Sequence, residues 1–190
     1  MWEKLLQWDR ETLIYLNGLG NEHYDGFWSV LTKFPTWIPF FLVLLVVFFL
    51  KYSKREAVVQ ILFVLAVAGC IGLLSNVTKE WMGRLRPCND SEINTLIRVL
   101  KKPSDFSFFS GHASTSFSVI ILAYLFLRRR WKWSFLLFVW PLLFSYSRIY
   151  LGVHFPLDII AGALIGGVFA LLFYWLYLKI IKRDSLSTRP

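Results

Sequence analysis

The sequence predicts an all-α fold: a polytopic membrane helical bundle of about five transmembrane helices, with an N-terminal helix at the interface. Three observations predict it. Of the 190 residues, 56% are hydrophobic and 18% aromatic, at a mean hydropathy of +0.53. A soluble domain of this length cannot hide so much apolar surface, so lipid is the solvent for much of the chain. Five apolar stretches approach the roughly 20 residues that a helix needs to cross the hydrocarbon. Finally, the basic residues collect in alternate connections, as the excess of lysine and arginine in cytoplasmic loops requires. One domain, residues 1–190, accounts for the whole.

The elements follow in chain order. Residues 1–20 repeat Leu5, Trp8, Leu13 and Leu16 between charges, the pattern of an amphipathic interfacial helix lying on the membrane; a helix packed on the bundle gives the same pattern. This segment carries charge throughout and has no continuous apolar centre, so no cleavable signal peptide is expected there. The spans are expected at 34–50, 57–77, 114–127, 133–146 and 159–178. The third and fourth apolar cores are short, so polar residues at their ends must reach into the bundle, as expected where helix ends line a site. In the fifth, "GALIG" (162–166) brings small residues that permit close helix packing. His23, in "GNEHYDG", reads as an interfacial loop residue.

The net charge of +9 raises the question of nucleic acid, and its distribution answers it. Loops 51–55 and 128–132 and the tail after Leu178 hold 11 of the 21 lysines and arginines, joined only by the acids Glu56 and Asp184. These segments mark the cytoplasmic face. With five spans, the N-terminal helix and the loop 81–111 then face outward. The positive charge is topology, and no nucleic-acid partner is expected. Cys70 lies in an apolar run and Cys88 in the following polar loop, so no disulfide is expected, and Cys88 is expected to be accessible from outside.

This topology gathers three polar clusters on the outer face. "KEWMGRLRP" ends the second span with Lys79, Arg84 and Arg86; "FSGHAS" opens the third with Ser110, Gly111 and His112; "SRIYLGVHFPLD" joins the fourth to the fifth with Arg148, His154 and Asp158. Ionisable groups at membrane depth are costly and point to function. Many cations with few acids suit an oxyanion of high charge, above all a phosphate. Lys79, Arg86 and Arg148 supply charge and directed donors. Ser110 and the Gly111 N–H lie at a helix N-terminus, which favours anions, and glycine lets the backbone approach closely. Of the two histidines, one can attack phosphorus while the other protonates the leaving oxygen. Asp158, four residues after His154, can bond its ring and fix the tautomer. Asp90, Glu92 and Asp105 lack ligand-like spacing and read as solvated loop acids, so no metal site is expected.

Lys79-x6-Arg86-Pro87, Ser110-Gly111-His112 and Ser147-Arg148-x5-His154-x3-Asp158 resemble the three-part signature of the type 2 phosphatidic acid phosphatase family, which also includes bacterial acid phosphatases and vanadium haloperoxidases. The motifs cover 79–158, and the arrangement of spans extends the likeness to nearly the whole chain. One departure is Phe109, where the family usually has proline; it removes no catalytic group. The resemblance implies that His154 is a nucleophile forming a phosphohistidine, oriented by Asp158. It makes His112 the general acid and gives the phosphoryl group to Lys79, Arg86, Ser110, Gly111 and Arg148. No metal or other cofactor is implied.

The expected activity is therefore that of an integral-membrane lipid phosphatase in a bacterial plasma membrane, its site facing the periplasm or exterior. Its expected partners are membrane lipids and a phospholipid or polyprenyl phosphate or pyrophosphate substrate. Undecaprenyl pyrophosphate is the favoured substrate, because Arg84 is a surplus cation that a second phosphate would engage, and Arg98, Lys101 and Lys102 lie in the same outer loop. Phosphatidic acid, phosphatidylglycerol phosphate and lipid A phosphate are the alternatives. A phosphotransferase using the same intermediate is also compatible with the sequence. A non-catalytic lipid-binding or transport protein would have no use for a nucleophile, an acid and an orienting carboxylate together.

Overall fold

The structure is a computed structural model that describes residues 1–187, with side chains to Ile180. The charges at 182–184 and 189, counted above with the basic tail, lie outside the residues whose side chains are described. All described regular structure is helical: α1 (Trp2–Gly18), α2 (Glu22–Leu31), α3 (Ile38–Lys51), α4 (Lys54–Met82), α5 (Gly111–Leu127), α6 (Val139–Tyr150) and α7 (Pro156–Ser187), with 3₁₀ turns at Phe34–Trp37, Pro87–Asn89 and Lys132–Phe138. A helix thus occupies each of the five apolar stretches. Three segments, Phe34–Lys51, Lys54–Asn89 and Pro156–Ile180, are long and apolar enough to cross a membrane unaided. α5 has 17 residues and α6 only 12. At a rise of 1.5 Å per residue α6 spans about 18 Å, and the seven-residue 3₁₀ segment before it adds about 14 Å.

Local chemistry sets the ends of these helices. Ser53 and Glu56 form a reciprocal capping box at the start of α4, and Gly83, at φ 58°, closes its other end in the left-handed region that glycine adopts freely. Pro156 opens α7 at a position where its missing N–H costs nothing. The helices α3 to α7 run alternately up and down. At one end Arg130 donates to the Lys51 carbonyl at 2.7 Å and stacks over Tyr52, so the two basic loops meet there. The other end collects the C-termini of α4 and α6 and the N-termini of α5 and α7.

α5 is the centre of the bundle, packed against α4, α6 and α7. Its Ile120, Leu122, Ala123 and Leu127 are wholly buried, while Leu62, Leu73, Leu164 and Val168, on α4 and α7, face outward. The small residues of "GALIG" act as expected. A Cβ at Gly162 would lie 2.7 Å from the Ser110 carbonyl oxygen, and one at Gly166 would overlap the carbonyl of Ser114. The backbones of α5 and α7 therefore touch where the site begins.

The N-terminal region departs from expectation at His23, and of the two readings open for residues 1–20 it shows a helix packed on the bundle. A second helix, α2, follows α1 and carries His23 at its exposed start, where a loop was expected. α1 itself packs on α6 and α7, with Asp9, Leu13 and Asn17 fully buried. Asn17 explains the attachment: its amide donates to the carbonyls of Ile149, Tyr150 and Arg98 at 3.0, 2.9 and 3.1 Å, satisfying acceptors at the end of α6. Cys88 is buried, contrary to the expected accessibility, because the turn that bears it folds under Tyr150, Leu151 and Val153.

Candidate active site

The four helix ends bring together groups that lie 79 residues apart in sequence, from Lys79 to Asp158. His154 stands in the α6–α7 connection and is fully buried. Arg86 Nη1 lies 2.8 Å from its Nε2 and also donates to the Val153 carbonyl at 2.9 Å. A guanidinium has no acceptor, so Nε2 must be the unprotonated nitrogen and the ring proton sits on Nδ1. On that side Asp158 Oδ2 is 3.4 Å away. The nucleophilic lone pair of His154 is thus fixed at Nε2 by a donor on one side and an acceptor on the other. Burial lowers the His154 pKa to about 4; the neighbouring Arg86 and Arg148 push the same way, and Asp158 opposes them. The ring is neutral at pH 7.

Asp158 is held by more than its histidine. Oδ2 accepts the Phe155 N–H at 2.9 Å and the Ser107 hydroxyl; Oδ1 accepts Arg84 Nη1 at 2.6 Å. Its carbonyl accepts the Ser110 N–H at 3.0 Å, joining α7 to the start of α5. Ser110 is the N-cap of α5, its Oγ accepting the Ala113 N–H at 3.3 Å, and its hydroxyl hydrogen remains free to donate. Gly111 follows with Ser75 Oγ 2.9 Å from where a Cβ would stand, so a larger residue there would have to displace the Ser75 hydroxyl. His112, on the first turn of α5, lies with its ring 4.9 Å from that of Phe144.

Three cations gather at this end of the bundle, with Arg86 in contact with Nε2. Arg86 and Arg148 are each 3% exposed, and Lys79 reaches in from the last turn of α4. Arg148 donates to Thr32 Oγ1 at 2.5 Å, while its Nε is buried without a partner. It faces no carboxylate within ion-pair distance among the described residues. A buried guanidinium left this way is unstable unless an anion completes it. The donors converging here are cationic N–H groups, which suit an anion and not a metal cation. Together they fit a tetrahedral oxyanion next to His154 Nε2.

The structure brings together eight of the nine site residues expected from the sequence and corrects the ninth. Arg84 does not face the anion site. Its guanidinium is spent on two buried carboxylates, Asp158 at 2.6 Å and Asp9 at 2.6 Å, and it lies over the Phe155 ring. Both terminal nitrogens are engaged by carboxylates that balance its charge, so it is not the surplus cation expected for a second phosphate.

Four contributors escaped the sequence reading. Asp105, taken as a solvated loop acid, bonds Arg86 Nη2 at 2.8 Å and Lys79 Nζ at 2.6 Å. Burial alone would raise its pKa, but these two cations hold its carboxyl well below the ordinary range. Ser107 and Thr32 lie in segments with no periodic pattern, and nothing in the sequence marks them. Asp9 did leave a signal: Leu5, Asp9, Leu13 and Asn17 recur at a spacing of four, which places an acid on the apolar stripe of α1.

Comparison with known proteins identifies the arrangement. The PAP2 superfamily model matches residues 57–182. A lipid A 4'-phosphatase of Bacteroides thetaiotaomicron is 30% identical over 99% of this chain and 85% of its own length. An undecaprenyl-diphosphatase of Sulfolobus acidocaldarius is 38% identical over 75% of this chain and 65% of its own length. The crystal structure of a transmembrane PAP2 type phosphatidylglycerolphosphate phosphatase from Bacillus subtilis shares the fold, with a TM-score of 0.71 at 23% identity, covering 93% of this chain and 88% of that one. On this match across both sequence and fold, the chain belongs to the PAP2 superfamily and is a membrane phosphatase.

Proposed function

We propose that the chain removes a terminal phosphate from a membrane lipid through a phosphohistidine at His154. The observation that carries this reading is the buried, neutral His154 ring, its lone pair fixed at Nε2 by Arg86 and its Nδ1–H directed to Asp158. The substrate phosphoryl group takes the donors of Lys79, Arg86 and Arg148, with the Ser110 hydroxyl and Gly111 N–H at the start of α5. As it binds, Arg86 Nη1 leaves Nε2 for a phosphoryl oxygen, which frees the lone pair. Nε2 then attacks phosphorus and the bond from phosphorus to the lipid oxygen breaks. The phosphate anion bound beside His112 favours its protonated form, which gives that proton to the lipid oxygen and is left neutral. In the second half, water attacks the phosphohistidine, His112 takes the water's proton, the N–P bond breaks and inorganic phosphate leaves. The gathering of basic loops at the opposite end supports a site on the outer leaflet.

For the substrate, the correction at Arg84 matters. The cations that remain, Lys79, Arg86 and Arg148, match one phosphate, which favours a lipid phosphate monoester. The lipid A 4'-phosphatase that matches nearly the whole chain agrees with this. Undecaprenyl pyrophosphate is the second reading, favoured by the 38% identity to an undecaprenyl-diphosphatase. The test is phosphate release by purified protein from lipid A, undecaprenyl pyrophosphate, phosphatidylglycerol phosphate and phosphatidic acid in one detergent, beside His154→Ala. Turnover of a monoester by the parent and none by the variant is expected. A marked preference for the pyrophosphate would reverse the substrate assignment, and release by His154→Ala would sink the mechanism.

A further inference from the structure

We propose that Asp9 and Arg84 are positioning residues for the nucleophile, so that α1 is part of the catalytic apparatus and not only an anchor. The proposal rests on the phosphohistidine reading above and adds to it a buried chain of alternating charge. Asp9, on α1, is fully buried. Its Oδ2 accepts Arg84 Nη2 at 2.6 Å, and its Oδ1 accepts the Leu157 N–H at 2.8 Å, at the first turn of α7. The other edge of the same guanidinium, Nη1, donates to Asp158 Oδ1 at 2.6 Å. Asp158 in turn faces His154 Nδ1. Carboxylate, guanidinium, carboxylate and imidazole therefore follow one another without a gap. The family match begins at residue 57, so Asp9 lies outside it.

Physical reasoning gives each link a task. Asp158 must be ionised to hold the Nδ1–H tautomer and to stabilise the ring as Nε2 forms its bond. A buried carboxylate needs a nearby cation to stay ionised, and Arg84 is that cation. Unopposed, however, Arg84 would draw the Asp158 charge away from the imidazole. Asp9 balances it and, through Leu157 N–H, also fixes the backbone from which Asp158 projects. Arg84 suits the bridge because its planar fork offers two edges at once, which a lysine does not.

The test uses the full-length protein and separates this role from folding and from phosphate binding. Rapid quench of parent, Asp9→Asn and Arg84→Lys with radiolabelled phosphatidic acid in detergent gives two quantities. The amplitude of acid-labile phosphoenzyme counts competent sites, and the rate constant reads transfer to His154. Inorganic phosphate inhibition reads anion binding. Both variants are expected to lose about tenfold or more in rate constant, with KM and phosphate inhibition within about twofold of the parent. In an Asp158→Asn background, Asp9→Asn should have no further effect, because its action passes through Asp158. Normal rate constants, additive losses, weakened phosphate inhibition in Arg84→Lys, or absence of folded protein in both variants would each overturn the proposal. If the parent releases phosphate from this lipid yet forms no phosphoenzyme, the underlying phosphohistidine reading fails and the proposal falls with it.

Discussion

Gly162→Ala tests the claim that the contact between α5 and α7 sets the site geometry. The added methyl would stand 2.7 Å from the Ser110 carbonyl oxygen and 3.2 Å from the Ser114 nitrogen, where ordinary contact begins at 3.4 Å. Both neighbours are backbone, so about 0.7 Å must come from moving one helix against the other. The Ser110 N–H bond to the Asp158 carbonyl, 3.0 Å long, spans the same contact. Separation therefore shifts His154 and Asp158 relative to Ser110 and His112. Overpacking of this kind costs about 1–3 kcal/mol, and helix propensity returns at most about 1 kcal/mol. A misplacement near 1 Å in a catalytic array costs about a hundredfold in rate, so kcat should fall between about tenfold and a hundredfold. The assay is kcat and KM with a thermal melt, beside Gly69→Ala as control. A Cβ at Gly69 meets nothing within 4 Å, so that variant should keep its kcat. A lowered melting point with unchanged kcat in Gly162→Ala would refute the reasoning, since the strain would then be absorbed away from the site.

Further outcomes can be checked separately. Imidazole ¹⁵N spectra of the ligand-free protein should show His154 as the Nδ1–H tautomer at pH 6, titrating near its lowered pKa of about 4; a ring titrating near 6.5, or protonated at Nε2, contradicts the assignment. Because that folded value lies below the unfolded one, the unfolded chain takes the proton first. This contribution to stability is present above pH 6.5 and is lost as the pH falls from there towards 4, which melts across that range should register. Asp105→Asn removes a half-exposed carboxylate from Lys79 and Arg86 and should strengthen inhibition by inorganic phosphate, by about fivefold at most for so exposed a pair. Weaker inhibition would show that Asp105 mainly orients Arg86. Cys88, 1% exposed, should resist a membrane-impermeant thiol reagent until the protein is denatured; rapid labelling of native protein contradicts the burial of that turn.

What the sequence disclosed and what it hid have physical causes. The five apolar stretches were legible because lipid imposes a length and a composition on any helix that crosses it. His112, His154, Asp158 and the three anion-facing cations were legible because charge at membrane depth is costly and persists chiefly where chemistry uses it. Arg84 looked the same as Arg86 in "GRLRP", two residues away, since a sequence does not show which edge of a helix end meets a carboxylate. Its partner Asp9 comes from 75 residues upstream, and that pairing is tertiary. Ser107 and Asp105 lie in the loop before α5, where no period links position to direction. Asp9 alone was within reach, as an acid on the apolar face of α1, although the same pattern serves a helix lying on a membrane. Cys88 was misread because a polar loop was equated with an exposed one, and this loop is folded back over the helix ends.

The central claim is that phosphate passes through Nε2 of His154. Its most direct measurement is peptide mapping of the protein quenched in mid-turnover with a radiolabelled lipid phosphate monoester. An acid-labile, base-stable label is expected on the peptide containing His154, absent from His154→Ala and retained longer in His112→Ala, where water attack lacks its base. Label on any other residue, or steady turnover with no labelled enzyme and full activity in His154→Ala, would contradict it.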